Sequence, residues 1–149
     1  MVRGMNKLLL LAAFAAVAAC TKADSQDRPA PAPTPAPTKV AEVATVSVDD
    51  VDASLTKGEV QPVDANGQAT RKRMGVLPGA VLLTDSDAFQ LTELPADKSK
   101  SLVFYCANTA CSASHHAAEK AMAAGYQHVR VMPDGIAGWV NAGKKVQQI

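Results

Sequence analysis

Aromatic side chains are scarce in this sequence, with one Trp, two Tyr and three Phe among 149 residues. So few rings cannot build a stacking platform for nucleic-acid bases. Charge of one sign is missing as well: 15 Lys and Arg face 14 Asp and Glu, and no basic patch stands out. Nucleic acid is therefore not an expected partner. Long hydrophobic runs are also lacking, since the apolar stretch Leu8–Ala18 is too short to cross a bilayer as a helix. Internal repeats are absent. Cysteine occurs three times, at Cys20, Cys106 and Cys111.

What is present begins at the N-terminus. Residues 1–19 carry the basic Arg3 and Lys7, then the apolar run, then small residues before Cys20, the layout of a secretory signal. The tetrad Val17-Ala18-Ala19-Cys20 resembles a bacterial lipoprotein signal. That resemblance implies cleavage before Cys20, a diacylglyceryl group on its sulfur, and anchoring to a bacterial membrane facing the periplasm. Two or three acyl chains suffice for stable anchoring. Thr21 in place of Asp favours the outer membrane, by resemblance to enterobacterial sorting. Removing residues 1–19 takes away two bases and no acid, so the remainder stays near neutral. Residues 20–39 then hold Pro29, Pro31, Pro33, Pro35 and Pro37 alternating with Ala or Thr, an extended tether that cannot bury a core.

The folded part is expected over residues 40–149, a suitable size for one domain. Strands are predicted at 41–46, 59–65, 80–83, 102–105 and 129–132. Helices are predicted at 48–57, capped by Ser47 and ended by Gly58, as one turn at 70–74, from Thr84 or Asp85 to Leu91, at 114–124, and around Ile136, Trp139 and Val140. Strands alternating with helices predict an α/β domain with parallel pairing, right-handed crossovers and helices on both faces. Ligand sites of such sheets lie beyond the carboxyl ends of the strands.

Cys106 falls at that edge. The apolar run Leu102-Val103-Phe104-Tyr105 reads as a buried strand, and an alanine-rich helix stopped by Gly125 follows. Between them Cys106, Ala107, Asn108, Thr109, Ala110, Cys111 and Ser112 form a loop of small residues. A cysteine there is expected to meet backbone N–H groups and the positive end of a helix dipole, which lowers its pKa and favours an anion beside it. Cys106 is thus the expected sulfur-handling nucleophile.

A family resemblance covers nearly the whole domain. Its residues are Val63-Asp64 at a strand end, Gly75-Val-Leu-Pro-Gly-Ala80, Val103-Phe-Tyr-Cys106, Ser114, Gly125-Tyr126, Val129-Arg-Val-Met132, Asp134-Gly-Ile-Ala-Gly-Trp139 and Ala142-Gly143. In that order and spacing the chain resembles the rhodanese-like domain, a sulfurtransferase module. The resemblance implies a three-layer α/β/α fold around a central parallel sheet of about five strands. It also implies that Cys106 accepts sulfane sulfur from a thiosulfate-like donor, holds it as a persulfide and passes it to a thiol acceptor. No cofactor and no metal are called for.

The departures from the family pattern are specific. The interval from Cys106 to Ser114 is two residues longer than usual, Ala113 stands where an Arg is customary, and no Arg or Lys lies between Cys106 and Lys120. A guanidinium's bidentate grip on a sulfonate is thereby lost. Asn66 replaces another customary Arg, and Val76 a customary His; Arg71, Lys72 or Arg73 are the nearby sources of charge.

Three uses of Cys111 stand open. It resolves a persulfide or sulfenate on Cys106, or packs as a small apolar residue, or joins Cys106 and His115 or His116 around a soft metal. A ring so small stabilises by only about 2 kcal/mol, so stability is a poor reason for a disulfide. His115 either supports the Cys106 thiolate or is merely solvated, as is His116. Asp64 either orients loop amides or is an ordinary turn residue. Asn108, Thr109 and Ser112 either donate to an anion or brace the loop. The functional expectation is an extracytoplasmic sulfurtransferase or persulfide carrier using Cys106, with Asp64, Ser114 and His115 as supporting candidates. The alternative is a redox or metal-binding module using Cys106 and Cys111.

Overall fold

The computed structural model describes residues 42–149. The expected signal segment, the lipidated Cys20 and the proline-rich tether lie outside the described residues.

Helix starts follow local chemistry. The Ser47 hydroxyl accepts the Asp50 amide at 3.2 Å and donates to the Asp50 carboxylate at 2.6 Å, opening α1 (Val48–Thr56). A cap of this kind contributes about 1 kcal/mol. The chain then forms β2 (Gln61–Asp64), α2 (Gln68–Met74) and β3 (Val81–Leu82), having begun with β1 (Ala44–Thr45). After a long connection come β4 (Ser101–Tyr105), α3 (Ala113–Ala123), β5 (His128–Met132) and α4 (Gly135–Asn141). Gly125, at φ 94°, follows the last residue of the α3 cap, where a left-handed residue was predicted.

The five strands form one parallel sheet in the order β1-β5-β4-β2-β3. β4 is central, and alternate side chains along it enter different cores, as the two-residue strand period requires. Leu102 and Phe104 pack with Val129, Val131 and the small α3 residues Ala117, Ala118 and Ala121. Val103 and Tyr105 pack on the other face with Val48 and Val51 of α1 and Ile136 and Trp139 of α4. The alanines let α3 approach the sheet closely. This is the expected three-layer α/β/α fold.

One expected helix does not form. Between β3 and β4, the Asp85 carboxylate accepts the amides of Asp87 and Ala88, both at 2.8 Å. That local turn competes with helix formation. The chain instead makes a single 3₁₀ turn (Leu91–Glu93), whose Glu93 carboxylate accepts the amides of Gln90 at 2.8 Å and Thr84 at 2.7 Å. Phe89 and Leu94 drop from this connection into the core beside α3, so a loop covers that part of the sheet.

Candidate active site

The residue after β4 is Cys106, and its backbone is fixed by α4. The Ile136 amide donates to the Cys106 carbonyl at 2.8 Å, and the Ala137 amide to the Ala107 carbonyl at 3.0 Å. Gly135 makes this approach feasible. Its φ is 60°, and a β-carbon there would lie 2.5 Å from the Cys106 oxygen and 2.7 Å from the Ala107 carbonyl carbon.

The loop beyond is braced by itself. The Asn108 carbonyl accepts the Cys111 amide at 3.0 Å, and its side-chain oxygen accepts the Ala110 amide at 3.0 Å. Asn108 therefore serves the turn. At the far end the Ser112 carbonyl accepts the amides of His115 and His116 in the first turn of α3. This fold of the loop turns the Cys111 carbonyl toward Cys106.

The Cys106 thiol is almost completely buried and donates to that carbonyl, with Sγ and O 3.0 Å apart. From the other side the Ser114 hydroxyl donates to Cys106 Sγ at 3.3 Å. Ser114 is itself buried in α3, and its hydroxyl serves the sulfur instead of capping the helix. Burial pushes the Cys106 thiol up, and contact with Cys111 adds to the rise; the Ser114 hydroxyl and amide recover only part of it. The low thiol pKa predicted for Cys106 is therefore not what the folded loop provides. A carbonyl occupies a position where only amides were expected, and the thiol donates to it.

The depressed thiol is Cys111. Burial raises it too, but the Cys106 thiol and the amides of Ala107 and Ala113 outweigh that cost and hold it below the ordinary cysteine range. Cys111 is half-buried, packing against the core cluster that contains Cys106. Both cysteines are free thiols. The loop thus supplies an electropositive site, centred on the second sulfur.

The supporting candidates divide. Ser114 touches the sulfur. His115 sits half-buried in the first turn of α3, and its side chain makes no hydrogen bond to another described residue. His116 turns to the exposed Asp87, Nδ1 to Oδ1 3.5 Å. Asp64 is fully buried, and its Oδ1 accepts the Asn66 amide at 2.6 Å and the Arg71 Nε at 3.2 Å. Arg71 Nη2 also donates to the carbonyls of Asp64 at 3.0 Å and Leu83 at 2.9 Å. Arg71 is thus a clamp across the ends of β2 and β3, a role its place in a basic triplet did not reveal. Asp64 stands beside Tyr105 in register, on the face opposite the Cys106 core. Trp139 is core, its indole donating to the Lys145 carbonyl at 2.8 Å. Among the described residues no group of His, Cys, Asp and Glu is placed to hold a metal ion. A cavity of about 520 Å³ is lined by Asp52, Leu55, Trp139 and Lys144 among others and by none of the loop residues.

Solved structures share this fold. A protein from Bacillus halodurans superposes with a TM-score of 0.62 at 22% identity, covering 70% of this chain and 77% of its own. A rhodanese-like domain protein from Staphylococcus aureus gives 0.56 at 23%, covering 70% and 99%. A thiosulfate sulfurtransferase from Pseudomonas aeruginosa gives 0.60 at 21%, covering 71% of this chain and 20% of its own. These identities carry the fold alone. No curated relative matches the chain. The family model described as the rhodanese-like domain matches residues 47–142, from the α1 cap to the end of α4. Since that span is well over half of the 149 residues and holds the whole cysteine loop, the chain belongs to the rhodanese-like domain family.

Proposed function

We propose that this protein is a sulfur carrier in which Cys106 accepts sulfane sulfur from a thiosulfate-like donor and releases it to a thiol. The observation that carries the reading is the position of Cys106 Sγ at the carboxyl end of the central strand, with the Ser114 hydroxyl donating to it at 3.3 Å. The thiosulfate sulfurtransferase from Pseudomonas aeruginosa, similar in fold, supports the choice of donor.

The chemistry follows from the two sulfurs. The buried Cys106 thiol loses its proton to water entering the loop, and the Ser114 hydroxyl stays on the thiolate. Carbonyl and thiolate then repel, so the Cys111 carbonyl turns away and opens the loop. The Cys106 thiolate attacks the outer sulfur of thiosulfate; a sulfur–sulfur bond forms as sulfite leaves with the electrons of the broken one. The Ser114 hydroxyl and loop amides hold the anionic persulfide. A thiolate acceptor then attacks the outer sulfur and frees Cys106. No cofactor enters this cycle.

Thiosulfate is held without a loop cation. Ala113 offers none, and Arg71 is committed to Asp64. Slow turnover with thiosulfate and faster loading from less charged persulfides are therefore expected. The N-terminal sequence supports a further part of the proposal, attachment through a lipidated Cys20 to a membrane, outer membrane favoured, with the domain in the periplasm.

Mass spectrometry after incubation with thiosulfate tests the reading. With cyanide present throughout as acceptor, wild-type protein converts the accepted sulfur to thiocyanate, and Cys106→Ala forms none. Equal thiocyanate from Cys106→Ala would refute Cys106 as the acceptor.

A further inference from the structure

Within the described residues the loop holds two sulfurs, and the carrier cycle leaves the second without a chemical fate. Cys106 Sγ lies 3.0 Å from the carbonyl oxygen of Cys111 itself, so four covalent bonds separate that contact from the Cys111 sulfur. The ends of the loop are fixed: Cys106 and Ala107 are held by α4 amides, and Ser112 by α3 amides. The segment between them is secured only by the Asn108 turn, and residues 108–110 are exposed. Cys111 is the more accessible of the two sulfurs. It also carries negative charge more readily, because the Cys106 thiol and the amides of Ala107 and Ala113 favour its thiolate against the cost of burial.

We propose that Cys111 is a resolving nucleophile that discharges the Cys106 persulfide as hydrosulfide and closes a Cys106–Cys111 disulfide. The proposal rests on the reading of Cys106 as the sulfur acceptor. After loading, Cys111 holds a proton and Cys106 bears an anionic persulfide. The proton passes from Cys111 to the outer sulfur. The Cys111 thiolate attacks the inner sulfur, that of Cys106, and the outer sulfur leaves as hydrosulfide with the electron pair of the broken bond. Both cysteine sulfurs are oxidised and the sulfane sulfur is reduced, so no external oxidant takes part. A dithiol, or two equivalents of a monothiol, then reduces the disulfide and restores the starting protein. The partner class is thus a thiol reductant, and the products from thiosulfate are sulfite and hydrosulfide.

This chemistry differs from simple carriage in its acceptor. A carrier waits for an external thiol to collect the sulfur, whereas the internal thiol empties the site alone. The ring it closes is small, and so adds little stability against reduction. That suits a bond made and broken each turn.

The test uses the full-length protein, reduced and then freed of reductant, and its Cys106→Ser and Cys111→Ser variants. Each is given thiosulfate, or glutathione persulfide in parallel, in the absence of other thiols. Hydrosulfide is measured, and peptides are mapped after alkylation so that Cys20 is distinguished. Wild type is expected to release hydrosulfide and to show Cys106 linked to Cys111. The Cys111→Ser variant is expected to keep one added sulfur on Cys106 and release none. Wild type that retains its added sulfur as stably as Cys111→Ser, with no linked peptide, overturns this inference and leaves the carrier reading intact. If neither donor loads Cys111→Ser, carrier and resolution readings fall together.

Discussion

The Ser114 hydroxyl donates to the sulfur of Cys106 across 3.3 Å, joining the second residue of α3 to the first residue after β4. This contact favours the thiolate against burial and against the neighbouring Cys111 side chain. Replacing Ser114 by Ala should therefore push the Cys106 pKa further up. Alkylation of Cys106 as a function of pH measures it: the midpoint moves to higher pH and the rate near neutrality falls. Loss of one buried hydrogen bond should cost about 1 kcal/mol of stability. An unchanged midpoint would show that the hydroxyl does not act on the sulfur.

The two thiols should titrate in reverse of their structural prominence. Cys111 lies below the ordinary thiol range and Cys106 above it, so limited iodoacetamide should label Cys111 first as pH is raised. The signs also shape stability. A group raised by folding stabilises below its unfolded pKa and loses that contribution as pH climbs through the folded value; a lowered group does the reverse. Cys106 therefore weakens the fold on the alkaline side of the thiol range, and Cys111 on its acid side. Site-resolved mass spectrometry that found Cys106 labelled first would contradict this order.

Gly135 should tolerate no side chain. A left-handed conformation costs a non-glycine residue about 1–2 kcal/mol, before any overlap is counted. A β-carbon 2.5 Å from the Cys106 oxygen must also displace the loop. Gly135→Ala is expected to lower the melting temperature and to abolish sulfur loading by Cys106. A variant that melts and loads like wild type would mean the loop does not depend on this approach.

Arg71→Ala should be the costliest of these changes to stability. It strands a fully buried Asp64 carboxylate and frees the carbonyls of Asp64 and Leu83. Breaking a buried pair from one side costs about 3–5 kcal/mol. Urea unfolding would read the loss directly. Because Asp64 faces away from the Cys106 core, the folded fraction should still load sulfur at the wild-type rate. A stability loss well under 1 kcal/mol would remove the clamp from the account.

Local chemistry made much of this fold legible. Ser47, Gly58 and Gly125 mark helix ends by rules acting within a few residues, and the apolar run before Cys106 marks the central strand. The rest depends on contacts distant in sequence. Arg71 looks like one of three neighbouring bases until β2 and β3 close around it. The helix predicted after Thr84 loses to the Asp85 carboxylate, and nothing in its apolar spacing announces that competition. The opposite shifts of the two cysteines depend on how deeply each sulfur is buried and on which neighbours reach it. Spacing predicts a reactive loop there, and only folding assigns the lower pKa to Cys111.

The outermost strands, β1 and β3, are two residues long on either margin of the sheet. Such abbreviated borders leave few free main-chain donors and acceptors for a second molecule to zip onto. Neighbouring copies held at high local density would therefore find little purchase for intermolecular strand pairing, and the domain should resist coalescing into fibrils.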